Sequence, residues 1–350
     1  MRNQTVDIAK GLAGVLVVLG HAMAFRYSDG WVLQCSHIGT PFFIFLSGVF
    51  INIDRPWSES VIRKADRLLK PYLVMLLALG IVYAVIGELD VLSYLAGVLY
   101  ATGPTISLVS LWFLPHVFLC VLVGIAVLQE CRRWSMPRFA YVILLLFFLL
   151  LGQRCLDVVW QQPLESLWWQ SMLRPARHWP GLPWSIDVLP LTLVFLLAGY
   201  LVSAQVKNFR FQYLPMLLAL LVMVLSISAG YAAIDINLRI YRDVVFTTLF
   251  VFCGIYLGLS WSALLSSVTV LANIFSYVGK NFLVIMLVHM LVLRMLFRQV
   301  AQWIPDCQAW HVPLVFSLGL FLSVLMVVLV QRNRCLSMLL LPVQNHGVSR

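Results

Sequence analysis

An aspartate, a lysine and a histidine share one apolar stretch near the N-terminus: Asp7, Lys10 and His21, within residues 6–25. Charged groups at membrane depth cost roughly 2.5–3.5 kcal/mol each on insertion scales, and they tend to mark function. Lys10 and His21 stand eleven residues apart. At about 100° per residue they fall on nearly one helical face, separated along the axis by about 16 Å. Asp7 lies one turn before Lys10, within pairing reach. Imidazole is the side chain best suited to move protons near neutrality. A cation one face below it can hold an anionic reactant or stabilise developing negative charge. The same residues also fit a blander description, with a snorkelling lysine and a histidine satisfied inside a bundle.

The elements that must position these groups are apolar throughout. The chain has 350 residues, 62% hydrophobic and 11% charged, against about 25% charged in a soluble domain. The sequence therefore specifies an all-α polytopic membrane protein, one bundle of about ten transmembrane helices. The spans fall at 6–25, 38–53, 70–88, 110–128, 139–153, 186–204, 211–228, 243–260, 274–297 and 312–331. Runs of this length exclude a β-barrel. Ala22-Met23-Ala24 resembles a signal-peptide cleavage site, but the preceding acid, the internal histidine and the membrane character of all that follows favour a retained span.

Lys and Arg set the orientation. They concentrate in the segment from Asp54 to Lys70, with Arg55, Arg63, Lys64, Arg67 and Lys70, so both termini are expected in the cytoplasm. His21, His37, His116 and His289 then share the outer level. Convergent polar groups at one depth of a bundle are how membrane sites are built. The longest outer connection, 154–185, carries Trp160, Trp168, Trp169, Trp179 and Trp184 with Arg174, Arg177 and His178. Those rings serve as interfacial anchors or as a platform for an extracytoplasmic sugar. Seven cysteines lack CxxC or Cys/His metal spacing. No metal site is signalled, and no basic-aromatic run points to nucleic acid. Cys35, Cys155 and Cys307 are expected on one side, unpaired by sequence alone.

Several motifs occur in a fixed order. Asp7-Ile8-Ala9-Lys10-Gly11 leads to Gly20-His21. After these come His37-Ile38-Gly39-Thr40-Pro41-Phe42-Phe43-Ile44-Phe45-Leu46-Ser47-Gly48 and Arg63-Lys64-Ala65-Asp66-Arg67-Leu68-Leu69-Lys70-Pro71-Tyr72. Further on stand Leu111-Trp112-Phe113-Leu114, and Gly279-Lys280-Asn281 before His289. This succession resembles the acyltransferase-3 family of integral membrane O-acyltransferases, in the branch with sugar O-acetyltransferases. The resemblance covers 1–350 as a single domain. It departs where the family often has Arg in place of Lys10. The paired-arginine motif corresponds here to Lys64 and Arg67 or to Arg63 and Arg67. Lys70 replaces a residue that is usually apolar.

The resemblance implies acetyl-CoA, or another acyl-CoA, as a cytoplasmic donor, and a glycan or lipid-linked sugar as acceptor, in a bacterial inner membrane. Arg63, Lys64, Arg67 and Lys70 are then the candidates for the CoA phosphates, since Arg binds phosphate bidentately; the plainer alternative is an anchor for lipid headgroups. His21 is the candidate general base or acyl-imidazole nucleophile, with Lys10 oriented by Asp7 on the donor side. His37, His289 and Trp112 are candidates for supporting His21 or binding acceptor. Gly279-Lys280-Asn281 is expected as a turn or as part of the donor mouth, and Ser47-Gly48 as close helix packing. Two rivals stand beside this reading: a proton-coupled transporter using Lys10 and His21, and a non-catalytic scaffold. The chain shows no internal repeat of the transporter kind.

Overall fold

A computed structural model describes residues 3–25, 30–87, 90–161, 181–303 and 308–343. Fifteen α-helices follow one another, with a single short hairpin among the described residues. Among the described residues nine helical segments are long and apolar enough to cross a membrane, and the protein is an all-α polytopic membrane protein. The expected span 211–228 is the sixteen-residue helix Tyr213–Ser228, shorter than those nine.

The centre is α1, Gln4–Ala24. Asn3 caps it by accepting the Val6 amide hydrogen. Most of its small residues are buried, and it packs along α13, Thr269–Trp303. Glycines make that contact possible. A Cβ on Gly11 would strike the Phe275 carbonyl, and one on Gly279 would strike the Asp7 carbonyl. Gly279-Lys280-Asn281 is therefore the inside of a helix, not a turn. Its glycine is there for close approach, which small residues permit between membrane helices. Lys280 faces outward, and Asn281 bonds Tyr277 O and accepts from Gln331.

The second span starts earlier than expected, with α2 (Trp31–His37) running into α3 (Gly39–Val49). His37 thus lies at the break inside the span. Gly48 on α3 meets the backbone of α9 (Leu189–Leu201), the close packing read for Ser47-Gly48. The third span likewise begins upstream. α4 (Trp57–Lys64), a π-helical turn (Ala65–Leu69) and α5 (Lys70–Val85) form one run. The sequence reading also passed over α6, Val91–Tyr100. α7 (Phe113–Arg133) carries His116.

α8 spans Arg138–Gln161, so the first residues assigned to the Trp-rich outer loop are helical. Trp168, Trp169, Arg174, Arg177, His178 and Trp179 lie outside the described residues, as does Cys307. Cys35 and Cys155 are free thiols. After α10 (Ser203–Lys207) and α11 (Tyr213–Ser228) comes the hairpin β1 (Ile234–Asp235) and β2 (Ile240–Tyr241), paired antiparallel. α12 (Val244–Ser266), α14 (Gln308–Arg332) and α15 (Arg334–Leu340) complete the chain around α13.

Candidate functional site

The C-terminal end of α1 opens on a cavity of about 270 Å³. Its wall comes from α1 (Val17, Gly20, His21), from α2 and α3 (Ser36, His37, Thr40), from Trp112 and from the hairpin turn, Asp235 to Leu238. A smaller cavity of about 30 Å³ adjoins it beneath His21, between Phe43, Ser110, Trp112, Phe282 and Met286. His21 lines both.

His289 stands beside His21, with ring centroids 5.2 Å apart. It is fully buried. Its Nδ1 lies 3.0 Å from the carbonyls of Ile285 and Met286. A carbonyl only accepts, so Nδ1 carries the hydrogen and Nε2 keeps a lone pair. That Nε2 has no hydrogen-bond partner among the described residues. A buried polar atom normally has one, so this lone pair, packed beside the His21 ring, is placed to receive a proton.

His37 Nδ1 donates to Ile234 O at 2.7 Å, and its Nε2 lies 3.7 Å from Asp235 Oδ2. The ring is partly exposed and lines the same cavity as His21. Trp112 lines both cavities and is nearly buried. His116 does not share in this. Both of its ring nitrogens are engaged, with Trp184 O and Thr192 Oγ1, and it ties α7 to the turn before α9. Arg294, on the same helix as His289, donates to Ser107 O and steadies the segment leading to Trp112.

At the other end of α1 the cations gather. Lys10 Nζ sits 4.6 Å from the centroid of the Phe50 ring, and Lys207 Nζ lies 5.6 Å from the same ring. Such contacts stabilise an ammonium at modest cost in hydration. Arg67, Arg55 and Lys10 are all close enough to act electrostatically on Lys64. Asp7 is buried near the start of α1, its carbonyl against Gly279. Arg63 and Lys70 are occupied elsewhere. Arg63 pairs with Glu59 at 2.8 Å. Lys70 pairs with Asp66 at 2.6 Å and donates to Leu341 O. Of the four basic candidates, Lys64 lies within electrostatic reach of both Arg67 and Lys10, and Arg63 and Lys70 pair with acids on the same helical run. Arg67 lies within the π-helical turn, a local widening often found at functional sites.

Between the two ends runs one stripe of α1: Lys10, Gly14, Val17 and His21. The Phe282 ring covers Gly14, where a Cβ would strike it. Phe282 also stacks on Phe43, centroids 4.5 Å apart and planes 13° from parallel. This stacked pair floors the small cavity below His21. The column therefore consists of a basic mouth, an aromatic floor and a histidine chamber.

Sequence reasoning missed Asp235, Asn237, Phe43, Phe282 and Lys207. The polar run Asp235-Ile236-Asn237-Leu238-Arg239 between two apolar helices was the available signal for the hairpin. A comparison with family models matches the chain to one described as an acyltransferase domain over residues 3–332, nearly the whole chain. No curated protein and no solved structure matched.

Proposed function

Because this chain belongs to the acyltransferase-3 family, a membrane acyltransferase activity follows, and we propose that it moves an acyl group, acetyl in the first instance, from acyl-CoA to a hydroxyl of an extracytoplasmic or lipid-linked glycan. The observation that carries this reading is the column along α1. His21 lines a cavity at one end, and on the same helical face Lys10 lies within electrostatic reach of Lys64 at the other, as Arg67 does.

The donor enters at the basic end. CoA carries a pyrophosphate and a further phosphate, and the Lys10, Lys64 and Arg67 cluster supplies charge-assisted donors for them. The excess of Lys and Arg at this end makes it the cytoplasmic one by the positive-inside rule. To reach His21 the acyl thioester has to pass the Phe282–Phe43 stack, which closes the stripe over Gly14, so this route requires those two rings to part. At the chamber His21 takes the proton of the acceptor hydroxyl as its oxygen attacks the acyl carbon. The carbon–sulfur bond breaks, the carbon–oxygen ester bond forms, and the CoA thiolate leaves to be protonated. In the second route the imidazole nitrogen attacks first, and an acyl-imidazole passes the group to the hydroxyl. Under either route the His289 Nε2 lone pair lies beside His21 as a second proton acceptor. The resemblance to sugar O-acetyltransferases supports a bacterial inner membrane as the setting.

Membranes with and without the protein, incubated with radiolabelled acetyl-CoA, test the reading. Label should pass from the donor to membrane or surface glycan only where the protein is present. Donor that stays intact while a proton gradient drives uptake of a solute would favour the transporter instead.

A further inference from the structure

Beyond the last span the chain folds back onto the helical run that carries the basic residues. Asn333 ends α14 and caps α15, accepting the Leu336 amide hydrogen at 3.1 Å. α15 packs against α5, with Leu340 buried. Pro342 cannot continue a helix, and the residue before a proline is driven to extended backbone. Leu341, at φ −102° and ψ 152°, obeys this. In an extended segment the carbonyl of one residue and the amide of the next but one point to the same side. Here both find partners on one short stretch of helix. Lys70 Nζ donates to Leu341 O at 2.7 Å, and the Val343 amide donates to Asp66 Oδ2 at 2.7 Å. Lys70 Nζ and Asp66 Oδ1, 2.6 Å apart, close the ring. The backbone of 341–343 is thus tied to Asp66 inside the π-helical turn and to Lys70 directly after it.

A π turn is rare, and it takes in about one residue more than an α turn, so the contacts around it have to favour it over the α form. This one packs against α7, and none of its residues is fully buried. Its shape decides what reaches the basic mouth. Arg67 lies in the turn beside Asp66, and Lys64 directly precedes it. If the turn relaxed to α-helix with α5 in place, α4 would rotate by about 100°. Ala65 would take the direction Lys64 now has, and the Lys64 ammonium would swing away from Lys10, which now lies within its electrostatic reach. The bonds that fix Asp66 therefore bear on the mouth. Asp66 and Lys70 are each about a quarter exposed, at 24% and 25%, and an ion pair that solvent reaches contributes little. A backbone N–H given to a carboxylate contributes more. The one from Val343 also joins segments 277 positions apart.

We propose that residues 333–343 form a clasp on the π-helical turn, and that the bond from the Val343 amide to Asp66 is the positioning contact that keeps Lys64 and Arg67 at the basic mouth. The clasp lies outside the residues matched to the family, 3–332. That the mouth takes the phosphates of CoA rests on the acyltransfer reading; the clasp itself does not. The test uses the full chain in nanodiscs, with backbone amide exchange and calorimetric binding of CoA as the two readouts. Val343→Pro deletes one N–H and alters no charge, at a residue that is 68% exposed. Exchange across residues 57–69 should quicken by about tenfold, and CoA should bind about tenfold more weakly. Asp66→Ala, which removes the acceptor, should repeat both effects. Val343→Ala keeps the N–H and should match the unaltered chain. Lys70→Ala keeps the amide bond and should change CoA binding by less than about threefold. Unchanged exchange in Val343→Pro and Asp66→Ala would overturn the clasp, and faster exchange with unchanged CoA binding would overturn its part in positioning the mouth. If the unaltered chain binds no CoA, the donor reading fails, and the exchange result alone decides the clasp.

Discussion

Arg239→Ala is the perturbation whose magnitude follows most directly from the structure. Arg239 and Asp187 are both 1% exposed. The substitution removes the hydrogen bonds to Asp187, Ser185 and Asn237 O and leaves a carboxylate buried with the Leu182 amide still donating to it. Breaking one side of a buried pair costs about 3–5 kcal/mol, because the remaining charge is uncompensated. Replacing both partners by apolar residues of similar volume is often close to neutral. Hence Arg239→Ala should lower the unfolding free energy by about 3–5 kcal/mol, whereas Asp187→Leu with Arg239→Met should recover most of that loss. The assay is reversible unfolding in mixed detergent micelles followed by tryptophan fluorescence. A loss under about 1 kcal/mol for Arg239→Ala, or a double variant no more stable than the single, would refute the reasoning.

Other outcomes follow from the two ends of the column. Lys64→Ala and Arg67→Ala should each raise the acetyl-CoA KM by about tenfold to a hundredfold, while Arg63→Ala and Lys70→Ala should move it little, read from donor titrations at fixed acceptor; equal effects from all four would contradict the division. Phe43→Ala removes half of the stacked floor, and acetyl-CoA hydrolysis without acceptor should rise as water and donor meet more freely; an unchanged rate would show that the stack is not a barrier. Gly279→Leu places a side chain into the Asp7 carbonyl, and overpacking of this kind costs about 1–3 kcal/mol or more; the variant should lose its monodisperse peak in size-exclusion chromatography, and a normal profile would mean the helices can part there.

The backbone of the arrangement was legible in the sequence because helices impose a period. Lys10 and His21 could be placed on one face from spacing alone, and the apolar runs named the membrane helices. What escaped notice shares a physical cause: it depends on contacts between segments distant in sequence. The hairpin has strands of two residues, too short for an alternating pattern, and it is held by Asp187, some fifty positions earlier. Asp235 and Asn237 therefore read as ordinary loop polarity. The run Gly279-Lys280-Asn281 read as a turn or as part of the donor mouth, yet it lies inside a helix where the glycine's missing side chain admits α1. That Arg63 pairs with Glu59 while Lys64 lies toward Lys10 could not be read from their adjacent positions in the sequence. The π-helical turn at Ala65–Leu69 leaves no mark in hydropathy, so the long run from Trp57 was cut at Lys70.

The role given to His21 is tested most directly by one substitution. Purified wild-type protein and His21→Ala, reconstituted with membrane glycan and radiolabelled acetyl-CoA, are compared for label transferred per molecule of folded protein. The wild type should transfer label and His21→Ala should transfer none, with the same melting profile. Full transfer by His21→Ala would contradict the account.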